Sequence, residues 1–175
     1  MMPATDIGTI AGVTPAIVEL QRAGALFEVH EFVHDPADAA AKSYGLAAAR
    51  ALGVEADRVF KTLLADATFS GGAVRQVVGI VPVTAQLSMK EIAVAVGAKR
   101  AEMCASAVAE RITGYVVGGI SPFGQKKRLH SVIDETCELS ETIFVSGGRR
   151  GLDLELAPAV LVEVLQATVA PIAMW

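Results

Sequence analysis

Val59-Phe60-Lys61-Thr62-Leu63-Leu64 and Val74-Arg75-Gln76-Val77-Val78-Gly79-Ile80-Val81-Pro82-Val83 are the stretches that decide the fold. Their β-branched and large apolar residues suit a pleated, buried surface. Phe69-Ser70-Gly71-Gly72 lies between them and supplies turn residues, so the two runs pair as an antiparallel hairpin. Outward on the N-terminal side, Thr14-Pro15 reads as a cap followed by a helix-opening proline. Ile17, Val18 and Leu20 continue that helix and Gly24 stops it. Phe27 to Phe32 has strand character, and Asp35-Pro36 turns the chain. A short helix is expected from about Ser43 to Leu52, with Gly53 as its stop.

On the C-terminal side, Ser88-Met89-Lys90-Glu91 is a capping box for a helix through Val96, ended by Gly97. Ser106 caps another helix that Gly114 ends. Tyr115 to Val117, Leu129 to Ile133, Ile143 to Ser146 and Leu152 to Glu155 read as strands, and Pro158 opens a last helix through Leu165. The strands are too many and too closely spaced for regular βαβ alternation. The expected class is therefore α+β: a single domain over residues 13–175, preceded by a loose leader over residues 1–12.

Composition narrows the function classes. Of the 175 residues 53% are hydrophobic, which supports a packed core, yet no apolar run approaches the roughly 20 residues of a membrane crossing. The start Met1-Met2-Pro3-Ala4-Thr5-Asp6 has no basic segment followed by an apolar one, so no export signal is read. Cys104 and Cys137 stand far apart in no ligand-like spacing and read as reduced, buried thiols, which with the missing signal gives a cytoplasmic expectation. Net charge is −4, but the cations gather as Lys99-Arg100, Lys126-Lys127-Arg128 and Arg149-Arg150. Such clusters are either ordinary solvated surface or a basic face for a phosphate backbone.

The common catalytic signatures are missing: no Gly-x-Ser-x-Gly elbow, no Walker loop, no dinucleotide fingerprint. His30 and His34 sit in a strand-to-turn context with no third ligand nearby, and His130 falls inside a strand, so neither a metal nor another cofactor is expected. Two features carry chemistry. Lys61 interrupts an apolar strand, so it either reaches solvent or stands in a cleft wall, where its charge would suit a phosphate, a carboxylate or a developing oxyanion. Strand alternation alone favours solvent. Gly118-Gly119-Ile120-Ser121-Pro122-Phe123-Gly124 is either a tight turn or a loop that brings backbone N–H groups to an anion, with Lys126, Lys127 and Arg128 directly after it. Ser146-Gly147-Gly148-Arg149-Arg150-Gly151 repeats the combination of glycine and cation, and leads into Asp153.

Together, the strand around Lys61, the Gly118–Arg128 loop and the Val145–Asp153 segment resemble the YbaK-type aminoacyl-tRNA deacylases, relatives of the editing domain of some bacterial prolyl-tRNA synthetases. The resemblance runs from about Pro15 to Ala170 with the motifs in order. It implies a β-barrel-like mixed sheet and a freestanding editing enzyme that clears mischarged tRNA, Cys-tRNA(Pro) above all. It implies catalytic roles for Lys61 and Gly118, the first glycine of the family's Gly-x-x-x-Pro element. Phe32, Gly119, Ile120, Ser121, Pro122, Ser146 and Asp153 would bind substrate. Lys126, Lys127, Arg128, Arg149 and Arg150 would touch the tRNA acceptor end, and a prolyl-tRNA synthetase is an implied partner. Phe32 stands where the family often has a tyrosine, which keeps Ala-tRNA(Pro) open as a substrate. A noncatalytic RNA-binding module is the alternative from another class. The resemblance also implies ester cleavage by the substrate's own thiol, since no protein nucleophile is visible.

Overall fold

The computed structural model describes residues 12–33, 35–37 and 44–175. The leader up to residue 11, His34 and Ser43 lie outside the described residues. In chain order the elements are α1 (Pro15–Arg22), β1 (Glu28–Glu31), α2 (Tyr44–Leu52), β2 (Phe60–Thr68), β3 (Val74–Pro82) and β4 (Gln86–Leu87). There follow α3 (Met89–Val96), β5 (Arg100–Met103), α4 (Ser106–Thr113), β6 (Ser131–Asp134), β7 (Ile143–Arg149) and β8 (Leu152–Leu156). The chain closes with α5 (Pro158–Leu165), β9 (Thr168–Ala170) and β10 (Ala173–Met174).

The hairpin β2–β3 forms the centre, in register from Phe60↔Pro82 to Thr68↔Val74. It extends to a five-stranded mixed sheet in the order β5-β2-β3-β6-β9, antiparallel across β5, β2 and β3 and parallel across β3, β6 and β9. A second sheet, β1-β8-β7, is antiparallel and touches the first through a bridge between Val59 and Phe144. The α+β class holds, with a mixed sheet flanked by helices; among the described residues the sheets do not close into a barrel.

Both faces of the central sheet are covered, and strand alternation sorts its residues. Phe60, Leu64, Val78, Ile80 and Ile133 face a core shared with α1, α4, α5 and the second sheet. Leu63, Ala65, Ala67, Val77, Val81 and Val132 face α3 and the C-terminal segment. Burial on both sides explains why β2 and β3 read as near-continuous apolar runs.

The caps act as their residue types dictate at Thr14 and Ser88 but not at Ser106, which is the first residue of α4, with Ala105 at the cap position and no side-chain cap bond. Thr14 accepts the Ile17 N–H, Ser88 accepts the Glu91 N–H, and Gly97 and Gly114 end their helices in the left-handed region. Tyr115 to Val117 is not a strand. After Gly114 the chain turns, Gly119 N–H donating to Val116 O, while Tyr115 is buried and its hydroxyl donates to Phe123 O. Tyr115 therefore pins the glycine loop from beneath.

The C-terminal segment is fastened by Asp134, only 2% exposed. Its carboxylate accepts the N–H groups of Ile172 and Ala173, the Thr136 N–H and the Thr136 hydroxyl. Asp134→Ala leaves these donors buried without an acceptor, and is expected to cost about 2 kcal/mol, read as a lower midpoint of urea unfolding.

Candidate active site

β5 pairs with β2 only from Ala65 to Thr68, and the bridge to β7 lies at Val59. Between those contacts the edge of β2 from Phe60 to Leu63 is open, and a cavity of about 330 Å³ forms there. Because it opens at the strand's edge, residues from both faces of β2 line it, Lys61 and Leu63 from one and Phe60, Thr62 and Leu64 from the other. Leu64 O accepts the Cys104 N–H, so alternation aims the Thr62 N–H and C=O into the same gap. The Thr62 hydroxyl is buried with no hydrogen-bond partner.

The cavity brings together Lys61, Phe32, Gly118, Ile120, Ser146 and Asp153, contributed by segments far apart in the sequence. Ser146 and Asp153 are cross-strand partners on β7 and β8, directly before the irregularity that accommodates Gly147 and Gly148. That bulge carries Arg150 to the cavity wall. Gly118 has φ +88°, and a Cβ there would come within 2.8 Å of the Tyr44 ring and 2.9 Å of Arg150 Nε, so no larger residue fits. The Gly118 N–H has no hydrogen-bond partner among the described residues.

The remaining expected site residues stand elsewhere. Gly119 is buried behind the loop, where a Cβ would lie 2.9 Å from the Arg149 backbone. Ser121 is fully buried and accepts the Phe123 N–H. Pro122 lines a separate small cavity with Glu19, Gln125 and Arg128. Lys126 and Lys127 are exposed, and their N–H groups satisfy the C-terminal carbonyls of α4. Arg128 pairs with Glu19 at 3.4 Å and donates to Val164 O at the end of α5. Arg149 pairs with Glu31 at 3.3 Å. Of the five expected tRNA-contact cations, Arg150 is the one on the cavity wall. Sequence reasoning passed over Tyr44, Thr62 and Cys104, which also line it. Thr62 could have been found as the neighbour of Lys61 on an open edge, but nothing local marks Tyr44.

Charge in the cavity is unbalanced. Neither Lys61 nor Arg150 has a carboxylate partner among the described residues. Burial lowers the Lys61 pKa, disfavouring an ammonium with nothing to neutralise it. Burial pushes Asp153 the other way, up to about 7 from the usual carboxylate range. The Cys104 thiol is raised by burial and by the nearby Asp66 carboxylate, so it is held protonated and is a poor nucleophile.

Among the described residues, the group that could hold a cation is Glu28, His30 and Glu155, whose ligand atoms all lie within 4.8 Å of one another. Glu155 is already engaged there: His30 Nε2 is 2.8 Å away, Thr142 donates to it at 2.6 Å and Arg58 at 3.4 Å. His30 thus ties β1 to β8.

Residues 38–164 match the aminoacyl-tRNA editing domain family. The chain belongs to that family. An Enterococcus faecalis protein provisionally named Cys-tRNA(Pro)/Cys-tRNA(Cys) deacylase EbsC is 36% identical over 124 residues, 71% of this chain and 73% of that protein. The crystal structure of hypothetical protein APE2540 superposes with a TM-score of 0.78 at 22% identity, over 92% of this chain and 100% of its own. A structure provisionally assigned as a trans-editing enzyme for prolyl tRNA synthetase gives 0.72 at 21% identity, over 94% and 100%. At those identities the two structures establish the fold alone.

Proposed function

We propose that the protein is a freestanding aminoacyl-tRNA deacylase of the cytoplasm, one domain over residues 13–175, that clears mischarged tRNA with Cys-tRNA(Pro) as its principal substrate. The observation that carries this reading is the convergence of Lys61 and Gly118 on one cavity, where neither Lys61 nor Arg150 is engaged in an ion pair among the described residues. The name of the E. faecalis relative supports the substrate. No helix among the described residues is long and apolar enough to cross a membrane.

The ester carbonyl lies between Lys61 and the free Gly118 N–H, which stabilise the oxyanion as it develops. The substrate thiol attacks its own carbonyl: an S–C bond forms, the C–O ester bond breaks, and the thiol proton passes to the ribose oxygen. The released thiolactone then takes up water to give cysteine. Among the described residues no histidine lines the cavity to activate Ser146, Ser106 or Thr62, and the Cys104 thiol is held protonated, which favours the substrate as the source of the nucleophile. Orientation then provides much of the rate. The acceptor end is the tRNA portion the cavity meets, and a prolyl-tRNA synthetase is the partner suited to supply tRNA identity.

Deacylation of tRNA(Pro) charged with Cys, Ala, Ser or Pro tests the reading. Cys-tRNA(Pro) is expected to be cleaved fastest and Pro-tRNA(Pro) spared. Preference for Ala-tRNA(Pro), which Phe32 leaves open, would move the substrate within the same class. Cleavage of none of the four would end the proposal. S-methylcysteinyl-tRNA(Pro) separates the chemical routes, because it resists if the thiol attacks and is cleaved if water does.

A further inference from the structure

Arg150 is held in a way that its surface position does not require. Its guanidinium carbon lies 4.5 Å from the centre of the Tyr44 ring. Its Nε and Nη2 both donate to Val117 O, at 3.1 and 2.7 Å. Gly118 fits beneath this pair only because it lacks a side chain. Three segments distant in sequence, the start of α2, the glycine loop and the β7–β8 turn, are therefore clasped around one planar cation at the cavity wall. The side chain is exposed, so its ordering costs entropy that an ordinary surface arginine would keep. The described neighbours offer it no carboxylate, whereas Arg58, Arg128 and Arg149 each have one.

We propose that the Tyr44–Arg150 clasp is the seat of the terminal nucleotide of the substrate, with its adenine ring stacked on the outer face of the guanidinium. The inference rests on the deacylase reading and adds to it the part of the substrate that anchors the ester. A guanidinium whose carbon sits over an aromatic ring and whose Nε–Nη2 edge is tied to a carbonyl leaves the side away from the ring and its Nη1 edge for a ligand. A flat base completes a three-layer stack, and stacking of this kind binds unpaired bases at RNA ends. Lys61 stands in the same cavity, so a nucleotide fixed at the clasp presents its ribose ester toward it.

The test is steady-state deacylation of Cys-tRNA(Pro) by Arg150→Ala, Arg150→Lys and Tyr44→Leu. Each is expected to raise KM about tenfold, with a smaller change in kcat. Arg150→Lys keeps the charge and loses the plane, so wild-type KM in that variant would reassign the contact to a phosphate and overturn stacking. A chemical double-mutant cycle supplies the second arm. An acceptor-stem RNA charged with cysteine, whose terminal nucleotide lacks its base, should react with the wild type as poorly as Arg150→Ala reacts with the normal RNA. Arg150→Ala should then lose little more on the baseless RNA. Additive losses would overturn the proposal, as would an unchanged KM in Arg150→Ala. Thermal unfolding of each variant identifies a loss caused by misfolding, and the cycle then decides. A wild-type protein inactive on all charged tRNAs would overturn the deacylase reading and this one together. Wild-type activity with an indifferent Arg150→Ala would overturn this one alone.

Discussion

Lys61→Ala is expected to lower kcat/KM for Cys-tRNA(Pro) by about two to three orders of magnitude, the range seen when one preorganised oxyanion donor is removed. The size follows from where the charge stands. Lys61 has no carboxylate partner among the described residues, and burial alone lowers its pKa. Its charge is therefore not neutralised by an ion pair, and acts on whatever negative charge the reaction creates. Lys61→Arg should fail to restore the rate, because a wide planar fork replaces a compact ammonium in a confined space. Folding should suffer little in Lys61→Ala, since no ion pair is lost and a half-buried charge is removed. Single-turnover deacylation beside a thermal melt checks both halves. Wild-type rates in Lys61→Ala would remove this residue from the chemistry.

The fold was legible where one interaction type dominates a segment. The β2–β3 hairpin is apolar on both faces because both faces are covered, and the glycine stops coincide with left-handed backbone at Gly97 and Gly114. Legibility failed where structure is imposed from a distance. β5 reads Arg100-Ala101-Glu102-Met103, has no strand pattern, and is a strand because the outer edge of β2 offers it backbone partners. Tyr115 looked like the start of a strand because aromatic and valine residues follow one another there. Its ring is instead a pin under the glycine loop.

The candidate site divides in the same way. Lys61 and Gly118 stand out by residue type, though each also has an ordinary reading as a solvent-reaching lysine or a tight turn, while Ser146 and Asp153 are singled out by the family resemblance; all four line the cavity. The cationic clusters could not be ranked from sequence, since Lys126-Lys127-Arg128 and Arg149-Arg150 look alike on paper. Their difference lies in remote acceptors. Glu19 and the end of α5 take Arg128, Glu31 takes Arg149, and among the described residues a carbonyl and an aromatic ring hold Arg150. Tyr44 was invisible for a related reason: its significance depends on Gly118 and Arg150, both more than 70 residues away.

Asp153→Asn should separate stability from activity. The carboxyl is 6% exposed and burial raises its pKa to about 7, against 3.8 for an ordinary Asp. Between those values the folded protein holds a proton that the unfolded chain has released. Stability therefore falls as pH rises from about 4 through about 7, by an amount approaching about 4 kcal/mol at 1.36 kcal/mol for each pKa unit. Asparagine has nothing to ionise, so the variant should show a nearly flat profile over that window and a higher unfolding midpoint than the wild type at pH 8. Below pH 4 the two proteins should converge. Natural selection would discard such a liability unless the ionised carboxylate were useful, and on the proposed function the cavity receives the α-ammonium of an aminoacyl ester, which gives that charge a use. Deacylation by Asp153→Asn should accordingly drop about tenfold or more at pH 8, where the wild-type carboxylate is charged, and the two enzymes should draw together at pH 6. Urea unfolding across pH 4 to 8, beside kcat/KM at pH 6 and 8, measures both effects. An asparagine variant both less stable and equally active at pH 8 would show that the cavity tolerates Asp153 for packing alone.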